Sequence, residues 1–160
     1  MTTFGNADTT PTTFDLNYSL ARFHRVSRRY REAIRLHGQA LASRRDRLGP
    51  DHPDTLRTQS SLANALYAAG YYPQALELFE ATRSRRSQTL GAEHPDTLRS
   101  QGSLANTLLA LGRYAEAVAL HRETLAIRER VLGVDHPSTR ASRHNLERAL
   151  LLAESGLDRP

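Results

Sequence analysis

The sequence predicts an all-α solenoid of antiparallel helix hairpins, seven helices in all. Three observations carry that expectation. A 42-residue segment recurs without gaps, from Leu48 to Thr89, from Leu90 to Val131, and in part from Leu132 onward. His52, His94 and His136 fall at the same place in each copy, as do Pro53, Pro95 and Pro137. Within each copy the apolar residues recur at helical spacing, and glycines stand where helices should stop: Gly70 and Gly112 midway, Gly91 and Gly133 at the ends. A repeat of this length marks a stack of similar supersecondary units, each burying its apolar faces against its neighbours.

The elements follow in order. A further step of 42 residues toward the N-terminus puts Pro11 on Pro53, Ser19-Leu20-Ala21 on Ser61-Leu62-Ala63, and Tyr30-Arg31-Glu32-Ala33 on Tyr72-Pro73-Gln74-Ala75. Residues 12–47 therefore read as a degenerate first hairpin that has lost its Leu-Gly-x-Asp-His-Pro entry, and residues 1–11 read as a flexible tail. The second and third hairpins are expected over 54–89 and 96–131. Helix A of each begins after a His-Pro turn, with Asp51, Glu93 and Asp135 placed to cap it and proline accommodated in its first turn. In the third hairpin, Leu98, Leu104, Ala105, Leu108 and Leu111 form the helix A stripe. Ala117, Val118, Leu120, His121, Leu125 and Ile127 form that of helix B. A last helix, 138–153, has Glu147 where the others have the small Ala63 and Ala105, which suits a solvated cap on a solenoid that ends there. Residues 154–160 are then a tail.

The 160 residues suffice for one domain, and 39% hydrophobic with 24% charged residues is an ordinary globular balance. The absence of cysteine excludes disulfides, thiolate metal sites and cysteine nucleophiles. No run of 18 apolar residues provides a membrane span. The Thr-rich start lacks the basic-then-apolar order of a signal peptide, so the expected location is cytoplasmic. All 22 basic residues are arginine, which points to a GC-rich bacterial genome. The net charge of +5 leans toward acidic partners, but its spread over many helix faces argues against nucleic acid.

Several constellations bear on chemistry. The Asp/Glu-His-Pro clusters contain proper metal ligands, but they occur once per repeat, and helical layers about 10 Å apart cannot share an ion. A turn-capping role is the better reading. His37 and His121 sit on apolar helix faces and read as packed histidines. The clusters Arg44, Arg45, Arg47 and Arg83, Arg85, Arg86 lie toward the ends of B helices, where positive charge favours the helix dipole. With no Ser-His-acid arrangement, phosphate-binding glycine loop or HExxH motif, neither an enzyme nor a cofactor is expected.

The pattern LGxDHPDTLxxxxxLAxxLxxxGxYxxA resembles the tetratricopeptide repeat, in the long 42-residue form found in kinesin light chains. The matching positions are Leu62, Ala63, Leu66, Gly70, Tyr72, Ala75 and Phe79, then Leu104, Ala105, Leu108, Gly112, Tyr114 and Ala117. The resemblance covers residues 12–153. It departs at His37 and His121, which replace the Phe79 position. It departs also at Ser60-Ser61 and Gly102-Ser103, which replace a doubled asparagine that Asn145 keeps in part. The resemblance implies a right-handed superhelix whose A helices line a concave groove for an extended peptide. Groove positions then recur at i, i+4 and i+7: Arg57, Ser61, Asn64; Arg99, Ser103, Asn106; Asn145 and Arg148 in the last helix after Ala141; Arg22 in the first, after Asp15 and Ser19. An asparagine amide can donate to a peptide carbonyl and accept from its N–H, and an arginine fork suits a carboxylate. The expected function is a non-catalytic scaffold or adaptor for a protein or peptide, acidic or presenting its C-terminal carboxylate. Two alternatives stand beside it: self-association through Phe14, Leu16, Tyr18 and Leu20, and a sensor holding a small anion on Arg22, Arg57, Arg99 and Arg148.

Overall fold

The 42-residue period is written into the backbone as helix, glycine turn, helix, glycine turn. The computed structural model describes residues 13–157, with side chains from 28 to 155. Among the described residues there are six helices and no strand: α1 Thr13–Leu48, α2 Pro53–Ala68, α3 Tyr72–Leu90, α4 Pro95–Ala110, α5 Tyr114–Leu132 and α6 Pro137–Leu157. Each packs against the next in sequence, and α4 also meets α6.

Six helices replace the seven expected, because the first hairpin is one continuous helix of 36 residues. The cause is one missing residue type. Gly70 and Gly112 turn helix A into helix B at φ of 84° and 75°. An L residue adopts such a left-handed conformation only at a cost of about 1–2 kcal/mol. The position 42 residues before Gly70 is Arg28, and Arg28-Arg29-Tyr30 run straight through as helix. Where the glycine is present the turn closes with paired backbone bonds. Tyr71 N–H donates to the Leu66 carbonyl at 2.9 Å and Gly70 N–H to that of Tyr67 at 3.0 Å, and Arg113 and Gly112 repeat the arrangement. The same logic lengthens α6 beyond the expected residue 153. Glu154 stands where a repeat would place its turn glycine, and the helix continues to Leu157. The tail expected over 1–11 and the last three residues lie outside the described residues.

The A helices are capped by histidine, not by the acids that precede it. The Nδ1 of His52 accepts from Asp54 N–H, that of His94 from Asp96 N–H and that of His136 from Ser138 N–H, each at 3.1 Å. Proline explains the choice. With Pro53 and Pro95 as first helical residues, the first free N–H belongs to the second, and the cap must come from the residue just before proline. The displaced acids are used elsewhere. Asp51 pairs with Arg85 of α3 at 2.6 Å, and Glu93 pairs with Arg130 of α5.

Helix A meets helix B through alanine. Ala63 against the α3 face that contains Ala75, and Ala105 against the α5 face that contains Ala117, leave all four residues with no exposed surface. Around them Phe79, Leu104, Leu108, Val118 and Ala149 pack into one core cluster among the described residues. On α6 the equivalent Glu147 is exposed, as a solvated outer face requires, but Leu151 at 66% exposure shares that end of the molecule.

The arginines near the ends of the B helices do more than complement a dipole. Arg44 donates to the Asp54 carbonyl and Thr58 hydroxyl. Arg86 donates to the Asp96 carbonyl at 3.3 Å and Ser100 at 2.7 Å. Arg128 donates to the Ser138 carbonyl at 3.1 Å and Ser142 at 2.6 Å. Each reaches from one layer into the first turns of the next A helix: Arg44 from α1, Arg86 from α3 and Arg128 from α5. Arg45 and Arg83 likewise reach the Gln59 and Gln101 side chains at 3.2 Å. A charge-assisted hydrogen bond contributes about 1.5–3 kcal/mol, against about 0.3–1 kcal/mol for a charge near a helix end. The stitching between layers is therefore the larger effect, and it corrects the purely local reading of Arg44, Arg45, Arg83 and Arg86; Arg85 instead pairs with Asp51 within its own repeat.

Candidate functional site

Two adjoining bays, each of about 180 Å³, open between the A helices. The first is lined by Arg57, Ser60, Ser61 and Asn64 of α2, Phe79 and Arg86 of α3, and Arg99, Ser100 and Ser103 of α4. The second is lined by Asn64 and Tyr67 of α2, Phe79 of α3, Ser103 and Asn106 of α4, and Arg148 of α6. Asn64, Phe79 and Ser103 belong to both, so the bays form one trough. Helices α2 and α4 supply its walls and α3 its floor. A larger, mostly apolar hollow of about 330 Å³ lies at the turn from α4 to α5, beside Tyr114 and Ala153. Its charged lining residues, Arg113 and Glu116, are bonded to each other at 2.7 Å, whereas the trough holds a larger set of polar side chains, which makes it the candidate site.

Seven of the nine residues expected from the sequence come together there: Arg57, Ser61, Asn64, Arg99, Ser103, Asn106 and Arg148. Asn145 is half-buried on α6 and lines neither bay. The Arg22 side chain lies outside the described residues, as do Phe14, Leu16, Tyr18 and Leu20. The seven are not equally available. Arg57 and Arg99 are exposed rim residues, each paired three residues back, with Asp54 at 2.6 Å and Asp96 at 2.8 Å. Ser61 donates to the Arg57 carbonyl at 3.1 Å. Arg148 occupies the same repeat position as Asn64 and Asn106, and its guanidinium donates to the Asn106 amide oxygen at 2.8 Å. Asn64, exposed on the α2 wall, has no side-chain partner among the described residues and keeps a whole amide free.

Five trough residues were not identified as site residues from the sequence: Ser60, Tyr67, Phe79, Arg86 and Ser100. Tyr67 and Phe79 provide apolar surface, with Phe79 nearly buried beneath both bays. Arg86 lies two helical turns beyond Phe79 on the same face of α3, a spacing that could have revealed it. Its side chain is 7% exposed. Burial lowers its proton affinity, the Asp96 carboxylate works against that shift, and Arg99 works with it. One layer on, His121 takes the place of Phe79. It is 1% exposed, its Nε2 has no partner, and both burial and the charge of Arg148 push its pKa below the ordinary imidazole range. The trough thus presents amides, hydroxyls and guanidinium groups over an aromatic floor. Among the described residues no three His, Cys, Asp or Glu side chains come together to hold a metal ion, and no described helix is long and apolar enough to cross a membrane.

Known proteins share this architecture. The family model described as tetratricopeptide repeat matches residues 12–85, 58–130 and 101–155. The crystal structure of a Podosopora anserina putative kinesin light chain with nearly identical tetratricopeptide-like repeats is 35% identical, with a TM-score of 0.74 over 91% of this chain and 69% of that one. A glutamine-to-methionine variant of that protein is 37% identical, with a TM-score of 0.72 over 85% of this chain and 67% of that one. No curated protein matches the chain at a significant level.

Proposed function

Because the chain belongs to the tetratricopeptide-repeat family, whose repeats generally mediate protein–protein interaction, we propose that it is a non-catalytic adaptor that binds an extended peptide segment along the trough between α2 and α4. The observation that carries this reading is the continuity of the two bays around Asn64. A peptide laid across them meets an amide that reads its backbone, hydroxyls along one wall and arginines at the rim. The arginines favour a segment that is acidic or ends in its free carboxylate. The all-arginine basic composition supports a bacterial source, and the cytoplasm is the compartment this reading assumes.

The test is affinity capture of the partner from the host, repeated with Asn64→Ala and with Asn64→Ala/Asn106→Ala. The single change should weaken capture about tenfold, the loss of one to two backbone-directed hydrogen bonds. The second change should add less, because Arg148 already engages Asn106. Undiminished capture by the double variant would remove the trough from the binding site. Self-association is the second reading, supported by the exposure of Leu151 and Leu152 on α6. Light scattering that shows a monomer at high concentration would sink it.

A further inference from the structure

We propose that the first bay is a binding site for a phosphoryl group, held by Arg86 on its floor and by Arg57 and Arg99 at its rim. The inference begins with an unbalanced charge. Arg86 is 7% exposed, and a guanidinium that is buried needs compensation in charge as well as in hydrogen bonds. Its Nη1 is satisfied by the Asp96 carbonyl and the Ser100 hydroxyl. Its Nε and Nη2 make no hydrogen bond among the described residues and are not among the buried atoms left without a partner, as fits a guanidinium whose free edge lines the open bay, and no carboxylate there pairs with it. The nearby acid is Asp96, and that carboxylate is bonded to Arg99 at 2.8 Å. Two guanidinium groups therefore share one carboxylate at the edge of a bay of about 180 Å³.

The lining of the bay suits an anion of more than one charge. Ser60, Ser61, Ser100 and Ser103 line it together with the three arginines. A carboxylate brings two oxygens and one charge, whereas a phosphoryl group brings three acceptor oxygens and a charge of about −1.5 to −2. Three guanidinium groups, one fixed and two adjustable, match the latter. Arg57 and Arg99 are free to swing inward, because exposed pairs three residues apart on a helix hold by only about 0.3–0.5 kcal/mol. A charge-assisted bond to a phosphoryl oxygen exceeds that several-fold. The next layer supplies an internal comparison. Arg128 repeats Arg86 and bonds Ser142 as Arg86 bonds Ser100. However, the position of Arg57 and Arg99 is occupied there by Ala141, so the second rim arginine is lost. The site does not depend on the peptide reading, since it concerns one charged group and not a backbone.

Isothermal titration calorimetry on the full chain decides it, with inorganic phosphate, N-acetyl-phosphoserine N-methylamide and, as the carboxylate control, acetate at matched ionic strength. Phosphate should bind about tenfold or more tightly than acetate. Arg57→Gln/Arg99→Gln, which touches only exposed side chains, should melt as the parent does and lose about tenfold or more in phosphate affinity, while Arg128→Gln should keep that affinity. Arg86→Gln should also lose it. If that variant melts early, the double rim variant still carries the test. Tighter binding of the phosphoserine compound than of phosphate assigns the site to phosphorylated side chains, and equal binding assigns it to the free oxyanion. Both outcomes support a phosphoryl site. Acetate binding as well as phosphate, absence of phosphate binding at millimolar concentration, or unchanged affinity in Arg57→Gln/Arg99→Gln would each overturn it. Phosphate binding would stand even if no peptide partner were captured, so the two readings fail separately.

Discussion

His121 fills the space that Phe79 fills one repeat earlier, and it does so with an imidazole whose Nε2 finds no partner. Burial and Arg148 hold its pKa below that of an exposed histidine. The sign of the consequence follows from proton counting. Below about pH 6.5 the unfolded chain protonates this histidine and the folded chain resists, so the unfolded state binds more protons. The contribution of His121 to stability is therefore full above about pH 6.5, declines as the pH falls below it, and levels off below the folded-state pKa. His121→Phe copies the residue of the preceding repeat and removes both the titration and the unsatisfied nitrogen. The variant should gain about 1 kcal/mol at neutral pH, the lower end of the penalty for a buried unpaired polar group. It should also lose part of the decline between about pH 7.5 and 5, as read from denaturant melts. A variant whose stability falls with pH as steeply as the parent's would assign the slope to other groups.

At the scale of elements, the structure separates two kinds of information that the repeat carries together. Packing is written in residues such as Tyr30 and Ala33, which match Tyr72 and Ala75. That match predicts a first hairpin, and the structure overturns it, since α1 is a single helix. Turning is written in one glycine, and Arg28 does not supply it. Gly112→Ala tests the point where the turn exists. A methyl group added there meets nothing within 4 Å, so the whole cost is the left-handed backbone at φ 75°. The melt should show a loss of about 1–2 kcal/mol; a neutral result would mean that the turn relaxes to another conformation without penalty. The helices α2 to α5 were legible because His-Pro and glycine punctuate them, whereas the cap was not. Asp51 and Glu93 have the stronger capping tendency, but only the geometry of proline decides that His52 and His94 hold the position. The residues that line the trough walls follow from the resemblance to tetratricopeptide repeats, which gives the i, i+4, i+7 positions of helix A to a groove. The floor does not, because arginines near a helix end already have a local explanation, and nothing local announces that Arg86 reaches a serine 14 residues onward.

The whole molecule is a one-dimensional array, in which stability is a sum over hairpins and over the interfaces between neighbours. Arg86 lies on such an interface, joining α3 to α4. The two sides are unequal, since nine residues of α4 are buried against five of α2. Amide protection should accordingly be greatest in α4, which also meets both α5 and α6. Arg86→Met keeps the volume of the side chain's stem and removes its hydrogen bonds. Two charge-assisted bonds at about 1.5–3 kcal/mol each are lost, and relief of the buried charge offsets part of that. The expected net loss is about 1–2 kcal/mol, and its distribution matters more than its size. If the interface term is what Arg86 supplies, hydrogen exchange in Arg86→Met should accelerate mainly in α1 to α3, which hold fewer buried residues among the described ones, while α4 to α6 keep most of their protection. Equal acceleration in all helices would show that the chain opens as one unit and that the arginine stitches do not set the boundary between independently opening parts. The same measurement bears on binding. Both walls of the trough are needed for a ligand, α2 from one side of this interface and α4 from the other, so a ligand that spans them should restore the lost protection in α2 and α3 by adding its own binding free energy to the interface.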